Sequence, residues 1–322
     1  MPSLERITPD REASSHHSSI QMFAAKGEWE SAQIAVRASG WDLENINLSI
    51  SDLQGAKGKI AKSNLTLYRE HFASVKHSNV AACLGGSPAR CSLGDGIYPD
   101  GLIPFKHPDT GKDLQGNLQA AHYNLAAGKN AVYWLDVFVP RGTSAGVYQG
   151  TVKVTSDRGN VSVPISLKVW NFTLPLQPSL KTAFQIWTVS NKSNELELLK
   201  HRLNPTYPRN PQDELGYVKS HGMNAVGDKG AGDASVMWGT CEVSPLRAAP
   251  PVSTFQAIAA RHPAKLTTFI YSADEVEREF CPNMTTKVSP ILRQWGRNIH
   301  QAGLKHLVVM PRSEERRVGK EC

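Results

Sequence analysis

The feature that most constrains the fold of this chain is a change in hydrophobic periodicity near residue 175. From about residue 20 to 172, short segments alternate apolar and polar residues and are separated by Gly, Pro, Asn and Asp. This period of two is typical of antiparallel strands. Beyond Pro175 and Pro178, which mark a stiff connection, strand-like and helix-like segments follow each other in turn. We therefore predict two domains with different architectures.

The first domain, residues 1–175, is predicted to be an antiparallel β-sandwich, because two half-polar sheets must cover each other's apolar faces. The predicted strands are SIQMFAA, AQIAVRAS, INLSISDL, AVYWLDVFV, GVYQGTVKVTS and VSVPISLKVWNF. The segment SDRGN is predicted to be a hairpin loop between the last two of them. Residues 83–113 are rich in Gly, Pro and Asp and are predicted to be a long loop.

The second domain, residues 176–311, is predicted to contain a parallel sheet with right-handed crossovers, because strand and helix patterns alternate. The strand-like segments are LKTAFQIW, MNAVG, LTTFIYSA and LKHLVVMP, and the helix-like segments are NELELLKHRL, ELGYVKSHG, TFQAIAARH and VSPILRQWGRNIHQAG. A (β/α)8 TIM barrel needs ~250 residues. We therefore expect the first half of a truncated barrel, which would be poorly stable alone because its sheet edge is open.

The two ends of the chain carry separate signals. Residues 312–322, RSEERRVGKEC, have no hydrophobic period and resemble a translated sequencing adapter. We expect this tail to be non-native and the natural sequence to stop near Pro311. The beginning, MPSLERITPDRE, lacks a basic segment followed by an apolar one, so no signal peptide is expected in this chain.

The composition argues against several classes of protein. No apolar run approaches the ~18 residues that a membrane span requires. The net charge of +7 is spread along the chain without a basic block interleaved with aromatic residues, which argues against nucleic acid as a partner. No C-x-x-C pair or metal-ligand spacing is present, so neither a metal nor a cofactor is expected. Cys83 and Cys91 fit either a local disulfide or two free thiols, and nothing indicates the oligomeric state.

Two adjacent carboxylates, Asp274 and Glu275, are the candidate catalytic residues. They directly follow the predicted strand LTTFIYSA, and barrel enzymes carry their active sites at the C-terminal ends of strands. A glycosidase needs one acid for the leaving oxygen and one group that stabilises an oxocarbenium-like centre. Neighbours in sequence cannot easily flank a bond, which favours the mechanism in which the sugar's own 2-acetamido oxygen attacks C1. Acids this close are also expected to push each other's pKa apart.

A purely structural explanation of the same residues stays open. Asp274-x-x-Glu277 and Ser272-x-x-Glu275 both have the spacing of a capping box at a helix start. Trp187, at the end of the first predicted barrel strand, is a candidate for stacking on a sugar ring, and Tyr271 is a candidate for lining the site. Packing in the core is the alternative for both residues, and it is the favoured one for Tyr271.

Six segments, in their order along the chain, resemble glycoside hydrolase family 123 and related bacterial proteins. They are GEWESAQIAV, GIYPDGLIPF, AGVYQGTVKV, VPISLKVWNFTLP, LLKHRLNP and YSADEV, and the resemblance spans nearly all of residues 1–311. It implies a β-sandwich followed by a barrel, no cofactor, and a glycan or glycoconjugate substrate. The implied activity is removal of terminal β-linked N-acetylhexosamine, with N-acetylgalactosamine preferred, by substrate-assisted retention.

The Asp-Glu pair of that family matches Asp274 and Glu275. The resemblance implies that Asp274 orients the acetamide and stabilises the oxazolinium-like intermediate, while Glu275 serves as acid and then as base. The family usually continues with proline, and Val276 stands there instead. The resemblance favours a secreted or periplasmic protein, of which this chain would be an inactive fragment. The alternative is a non-catalytic carbohydrate-binding or scaffold protein of the same fold.

Overall fold

The computed structural model describes residues 5–12, 19–76, 94–107, 110–186, 191–231, 247–274 and 288–309. The chain divides into two units, Met1–Leu174 and Pro175–Cys322. Strands dominate the first unit, and helices alternate with short strands in the second. No helix in these described ranges has the length and apolar character needed to cross a membrane.

The strands of the first unit form two sheets. The strands are β1 (Ile20–Lys26), β2 (Trp29–Arg37), β3 (Leu43–Ile50), β4 (Leu53–Gly55), β5 (Gly58–Ile60), β6 (Leu65–Val75), β7 (Gly96–Pro104), β8 (Tyr123–Leu125), β9 (Asn130–Phe138), β10 (Gly146–Ser156) and β11 (Gly159–Thr173). One sheet has the order β1-β11-β10-β3-β8, with β4 and β5 attached to it through β10. The other sheet has the order β2-β9-β6-β7.

The two sheets share one hydrophobic core. Met22 and Leu167 from the first sheet and Ile34 and Leu135 from the second are all buried in it. Successive side chains of a strand point to opposite faces, so each sheet turns one apolar face inward and one mostly polar face outward. The prediction of an N-terminal β domain is therefore confirmed.

One pairing departs from the predicted antiparallel sandwich. β1 and β11 run parallel, with Ile20 beside Ile165 and Ala24 beside Val169. These strands lie at opposite ends of the unit's sequence, so no short turn dictates an antiparallel direction between them. The hairpin of β10 and β11 closes between Ser156 and Gly159 as predicted.

The predicted long loop contains a strand. β7 occupies part of residues 83–113 and pairs antiparallel with β6, another strand that the sequence patterns did not indicate. Pro99 and Pro104 lower the strand signal of β7, but an edge strand tolerates proline because one side of it needs no N–H donors. Cys83 and Cys91 lie outside the described residues.

The second unit alternates helices and strands as predicted. Its described elements are α1 (Lys192–Lys200), α2 (Glu214–His221), β12 (Ala225–Gly227), α3 (Val252–Ala259), β13 (Thr267–Ala273), α4 (Ser289–Gln301) and β14 (Lys305–Val308). β12, β13 and β14 form a sheet in chain order, and both pairings are parallel. The predicted parallel sheet is present in these strands.

Two further segments, around Phe184 and around Thr206, lie next to β12, on the side away from β13. Phe184 N–H donates to Asn204 O (2.9 Å), and Thr206 N–H donates to Phe184 O (2.9 Å). Gly227 N–H of β12 in turn donates to Thr206 O (2.7 Å). The predicted strand LKTAFQIW contributes one parallel bridge, from Phe184 to Pro205, rather than a regular strand. The prediction missed the short segment around Thr206, and the complete barrel stays a prediction.

Two buried asparagines hold the start of these segments together. Asn204 Nδ2 donates to Asn224 Oδ1 (2.8 Å), and Asn224 N–H donates to Asn204 Oδ1 (3.0 Å). Asn224 Nδ2 also donates to Pro178 O (2.7 Å), and Asn204 N–H donates to Thr182 Oγ1 (2.8 Å). Buried amides must be satisfied, so these bonds determine how the segment after Pro178 lies against β12.

The glycine that ends α2 provides a test of this packing. Gly222 has φ 73°, and a Cβ there would lie 2.2 Å from Leu176 O; Gly303 after α4 has φ 81° and open space around the same position. We expect Gly303→Ala to cost about 1–2 kcal/mol of unfolding free energy, the cost of a left-handed alanine. Gly222→Ala should cost clearly more, because the backbone at Leu176 must also shift. Denaturant unfolding measures both, and equal losses would contradict the close approach.

Candidate active site

Asp274 lies at the C-terminal end of a central strand. It directly follows β13, which has β12 on one side and β14 on the other. Asp274 itself is half-buried, whereas the preceding residues from Thr268 to Ala273 are buried. In parallel sheets with crossover helices, this edge is where ligands and catalytic residues are found. The described position therefore suits a catalytic carboxylate.

A β-bulge immediately precedes Asp274. Tyr271 pairs with Leu307 and Ala273 pairs with Val308, so β13 uses one more residue than β14 between these pairs. Ile270 and Ala273 consequently lie in the same apolar cluster as Trp295 of α4, although an odd number of positions separates them. By alternation, Asp274 follows on the opposite face, away from that cluster. Bulges re-aim side chains in this way beside active sites.

The extra residue of the bulge is Ser272, which contacts a histidine on the neighbouring strand. Its Oγ is hydrogen-bonded to Nε2 of His306 in β14. Burial, with a smaller effect of the His300 charge, lowers the pKa of His306 to about 4, so the ring is neutral at pH 7. His306 also packs on Gly296 of α4, where a Cβ would lie 3.1 Å from Nδ1. These contacts support the bulge from the helix side.

Asp228, at the end of β12, is the carboxylate at the neighbouring strand end. Its Oδ2 lies 2.9 Å from His262 Nε2, and its Oδ1 lies 3.0 Å from Arg261 Nη2. His262 Nδ1 lies 2.8 Å from Glu214 Oε2 on the first residue of α2. Burial acts to raise the pKa of Asp228, but the hydrogen bonds from His262 and Gly230 and the charge of Arg261 outweigh it and lower that pKa. Asp228 is therefore held as a structural anion.

The interaction of His262 with Asp228 and Glu214 leads us to expect that the protein loses stability at alkaline pH. Burial disfavours the charged His262, but Asp228 and Glu214 outweigh this effect and raise its pKa from 6.5 to about 9. The stabilisation is complete below pH 6.5 and is lost as the pH rises through about 9. We expect the unfolding free energy to fall by roughly 1–3 kcal/mol across this window.

Urea unfolding at a series of pH values measures this effect, and His262→Gln provides the matched variant. The variant should be less stable at pH 6 and should lose less stability than the wild type on going to alkaline pH. Parallel pH profiles for the two proteins would show that the imidazolium does not contribute.

The other predicted site residues divide into described and undescribed positions. Tyr271 is buried in β13, on the face that the bulge assigns to Asp274. Glu275 and Trp187 lie outside the described residues, as does Glu277 of one proposed capping box. Ser272, the first residue of the other proposed capping box, uses its hydroxyl in the bond to His306.

A small cavity lies beside the ends of the preceding strand segments. It measures about 210 Å³ and is lined by Phe184, Gln185, Ile186, Thr206, Tyr207 and Lys229, among others. Lys229 Nζ lies 4.3 Å from the centre of the Tyr207 ring. Thr206 is buried, and its Oγ1 has no hydrogen-bond partner in the described part of the chain.

Sequence reasoning missed this cavity, because residues 204–207 were assigned to the connection between two helices. The only local signal is the proline in the segment NPTY, which indicates an extended conformation for the residue before it.

Comparison with known families identifies the first unit. A family model described as the glycoside hydrolase 123 N-terminal domain matches residues 5–156. The first unit therefore carries a domain of the glycoside hydrolase 123 N-terminal type. The resemblance of segments such as GEWESAQIAV and GIYPDGLIPF, which lie inside the matched range, is thereby confirmed.

Solved structures similar to this chain include a family 123 enzyme. It is a family 123 glycoside hydrolase from Clostridium perfringens that acts on glycolipid glycans, with 18% identity, a TM-score of 0.41, and coverage of 66% of this chain and 34% of that one. This chain thus spans about a third of that structure's length.

Two β-domains also match. The PapD-like domain of human CEP192 has 11% identity, a TM-score of 0.23, and coverage of 53% of this chain and 96% of its own. The CooA pilin subunit of enterotoxigenic Escherichia coli has 14% identity, a TM-score of 0.22, and coverage of 49% and 91%. A search of curated proteins found no match.

Proposed function

We propose that this chain belongs to a hydrolase that removes terminal β-linked N-acetylhexosamine, with N-acetylgalactosamine favoured, by substrate-assisted retention. The observation that carries the proposal is the position of Asp274. It follows a β-bulge at the C-terminal end of a central parallel strand, in a chain with a family 123 N-terminal domain. The partner is a glycan or glycoconjugate, and the chemistry requires no cofactor.

The proposed reaction uses the two adjacent carboxylates in different roles. Asp274 hydrogen-bonds the acetamide N–H and holds the acetamide oxygen against C1 while the glycosidic bond breaks. Glu275 donates its proton to the leaving oxygen, and an oxazolinium-like intermediate forms. Glu275 then takes a proton from water, which attacks C1 on the face that the leaving group occupied. Two displacements retain the anomeric configuration.

The surrounding residues suit recognition of the sugar. Trp187 is proposed to stack on the sugar face, and Tyr271 to line the site beside Asp274. The cavity lined by Phe184, Tyr207 and Lys229 lies at the same edge of the sheet, where it can accept a substituent of the ligand.

We also propose that residues 176–311 are the first half of a (β/α)8 barrel. The support is a series of neighbouring segments in chain order, from Phe184 through Thr206, β12 and β13 to β14. The pairings of Phe184 with Pro205, of β12 with β13 and of β13 with β14 are parallel. Leu307 of β14 and Val309, directly after this strand, are 38% and 41% exposed, which fits apolar side chains that further strands would cover. The chain alone is then proposed to be inactive, because barrel sites are assembled from loops after several strands.

Substitution of the carboxylates tests the mechanism in a protein that continues this chain through a complete barrel. Asp274→Asn should lower kcat/KM for aryl and natural N-acetylgalactosaminides alike, by about 10²–10⁴-fold. Glu275→Gln should lower it far less for an aryl glycoside with a good leaving group than for a natural glycan, since the former needs little protonation. Glu197→Gln, on the exposed surface of α1, is the control.

Two further measurements complete this test. Fluorination of the substrate acetamide should slow the wild type strongly, and proton NMR should show the β-anomer as first product. Absence of turnover on every N-acetylhexosaminide would refute the proposal and favour a carbohydrate-binding or scaffold protein. Turnover by the 322-residue chain alone would refute only its inactivity.

A further inference from the structure

A second cleft lies on the outer face of the four-stranded sheet of the first unit. It has a volume of about 470 Å³ and is lined by Arg6, Glu70, Tyr98, Asp100 and Trp134, among others. These residues come from three neighbouring strands, β9, β6 and β7, and from the segment before β1. A volume of this size is typical of small-ligand sites.

Strand alternation determines which side chains face the cleft. On β9, Tyr133 and Leu135 lie in the core of the sandwich, so Trp134 between them faces outward. On β6, Leu67 lies in the core and Glu70, an odd number of positions away, faces outward. The Trp134 indole N–H donates to Asp136 Oδ1 (2.6 Å), which tethers the edge of the ring.

Glu70 is the unusual group in this cleft. The residue is only 4% exposed, and burial, with no hydrogen bond or opposite charge to offset it, raises the pKa of its carboxyl to about 7. No described side chain or backbone N–H donates to this carboxyl. The carboxyl oxygens are not fully enclosed, so they reach the surface of the cleft. Such a group in a cleft indicates a ligand that supplies the missing hydrogen bonds.

The edge strand β7 has a bulge next to Glu70. Glu70 pairs with Leu102 and Phe72 pairs with Pro99, so Asp100 and Gly101 bulge out of β7 opposite one residue of β6. Gly101 has φ 78°, a conformation that favours glycine. The bulge places the Asp100 backbone at the rim of the cleft beside the buried carboxyl.

Arg6 packs against the same strand, β7, and also lines the cleft. Its Nη2 donates to Ile97 O (2.8 Å), and its guanidinium lies 4.0 Å from the centre of the Tyr98 ring. The cleft thus brings together the Trp134 indole, the Glu70 carboxyl, which is free to form hydrogen bonds with a ligand, and the exposed guanidinium of Arg6. An apolar ring for C–H groups beside polar groups for hydroxyls is the chemistry that recognises a sugar.

We propose that this cleft is a non-catalytic binding site for one saccharide unit, with Trp134 against the sugar ring and Glu70 bonded to its hydroxyls. A hydroxyl both donates and accepts, so it satisfies a carboxyl in either protonation state, which a purely cationic or anionic ligand does not. The site belongs to the first unit alone. It does not depend on the proposed hydrolysis, which uses residues of the second unit.

Binding by the full 322-residue chain tests the site. Isothermal titration with N-acetylgalactosamine, N-acetylglucosamine, galactose and glucose, and with short oligosaccharides of each, should reveal at least one ligand. Trp134→Ala and Glu70→Leu should each weaken its binding at least tenfold. Asp274→Asn should leave the affinity unchanged, as should Trp41→Ala, which removes a 69% exposed indole from the same unit.

Stability measurements keep this test independent of folding defects. Glu70→Leu removes an unpartnered buried carboxyl, so the variant should be as stable as the wild type or more stable while it loses the ligand. Absence of binding to every sugar would overturn the proposal. Binding that survives both Trp134→Ala and Glu70→Leu, or that is lost in Asp274→Asn, would overturn it too, because the ligand would then occupy another site. Failure of Asp274 variants in hydrolysis leaves this result unaffected.

Discussion

The bulge between Tyr271 and Ala273 is the constraint on which the candidate active site depends. A regular strand would direct Asp274 toward Trp295 and the helices, where an unpaired carboxylate is costly. One extra residue, Ser272, reverses the face and is itself satisfied by His306. The position of the Asp274 carboxylate thus depends on the hydrogen bond between Ser272 and the neutral His306 on the helix side of the sheet.

Buried polar groups that satisfy one another differ from those that have no partner, and the difference helps to separate structural from functional positions. Asn204 and Asn224 satisfy each other, and Asp228 is held by His262. These groups connect parallel segments and leave little hydrogen-bonding capacity for a ligand. Glu70 has no such partner. Its carboxyl reaches the surface of a cleft without a hydrogen-bond partner among the described residues, so this cleft is the strongest candidate for a second site.

Much of the fold was predictable, because it depends on local patterns. Period-two alternation in SIQMFAA or AVYWLDVFV indicates a strand with one buried face, and Gly222 and Gly303 mark helix ends by their positive φ. The misses have a common cause. β7 contains two prolines, which an edge strand tolerates. The segment around Thr206 is extended because Phe184 and Gly227 form backbone hydrogen bonds with it. Neither β7 nor the Thr206 segment shows the alternation of apolar and polar residues that would predict a strand from the sequence.

The sequence by itself determined the alternation of strands and helices in the second unit, the change of architecture near Pro175, the resemblance to family 123 through segments such as GEWESAQIAV, and the candidate pair Asp274 and Glu275. Those properties depend on residues close together in the chain. Only the tertiary structure decided which face Asp274 takes, that β1 runs parallel to β11, and that Glu70 lies beside Trp134 without a partner. Those properties depend on register between strands distant in sequence, where a shift of one residue exchanges the buried and exposed faces.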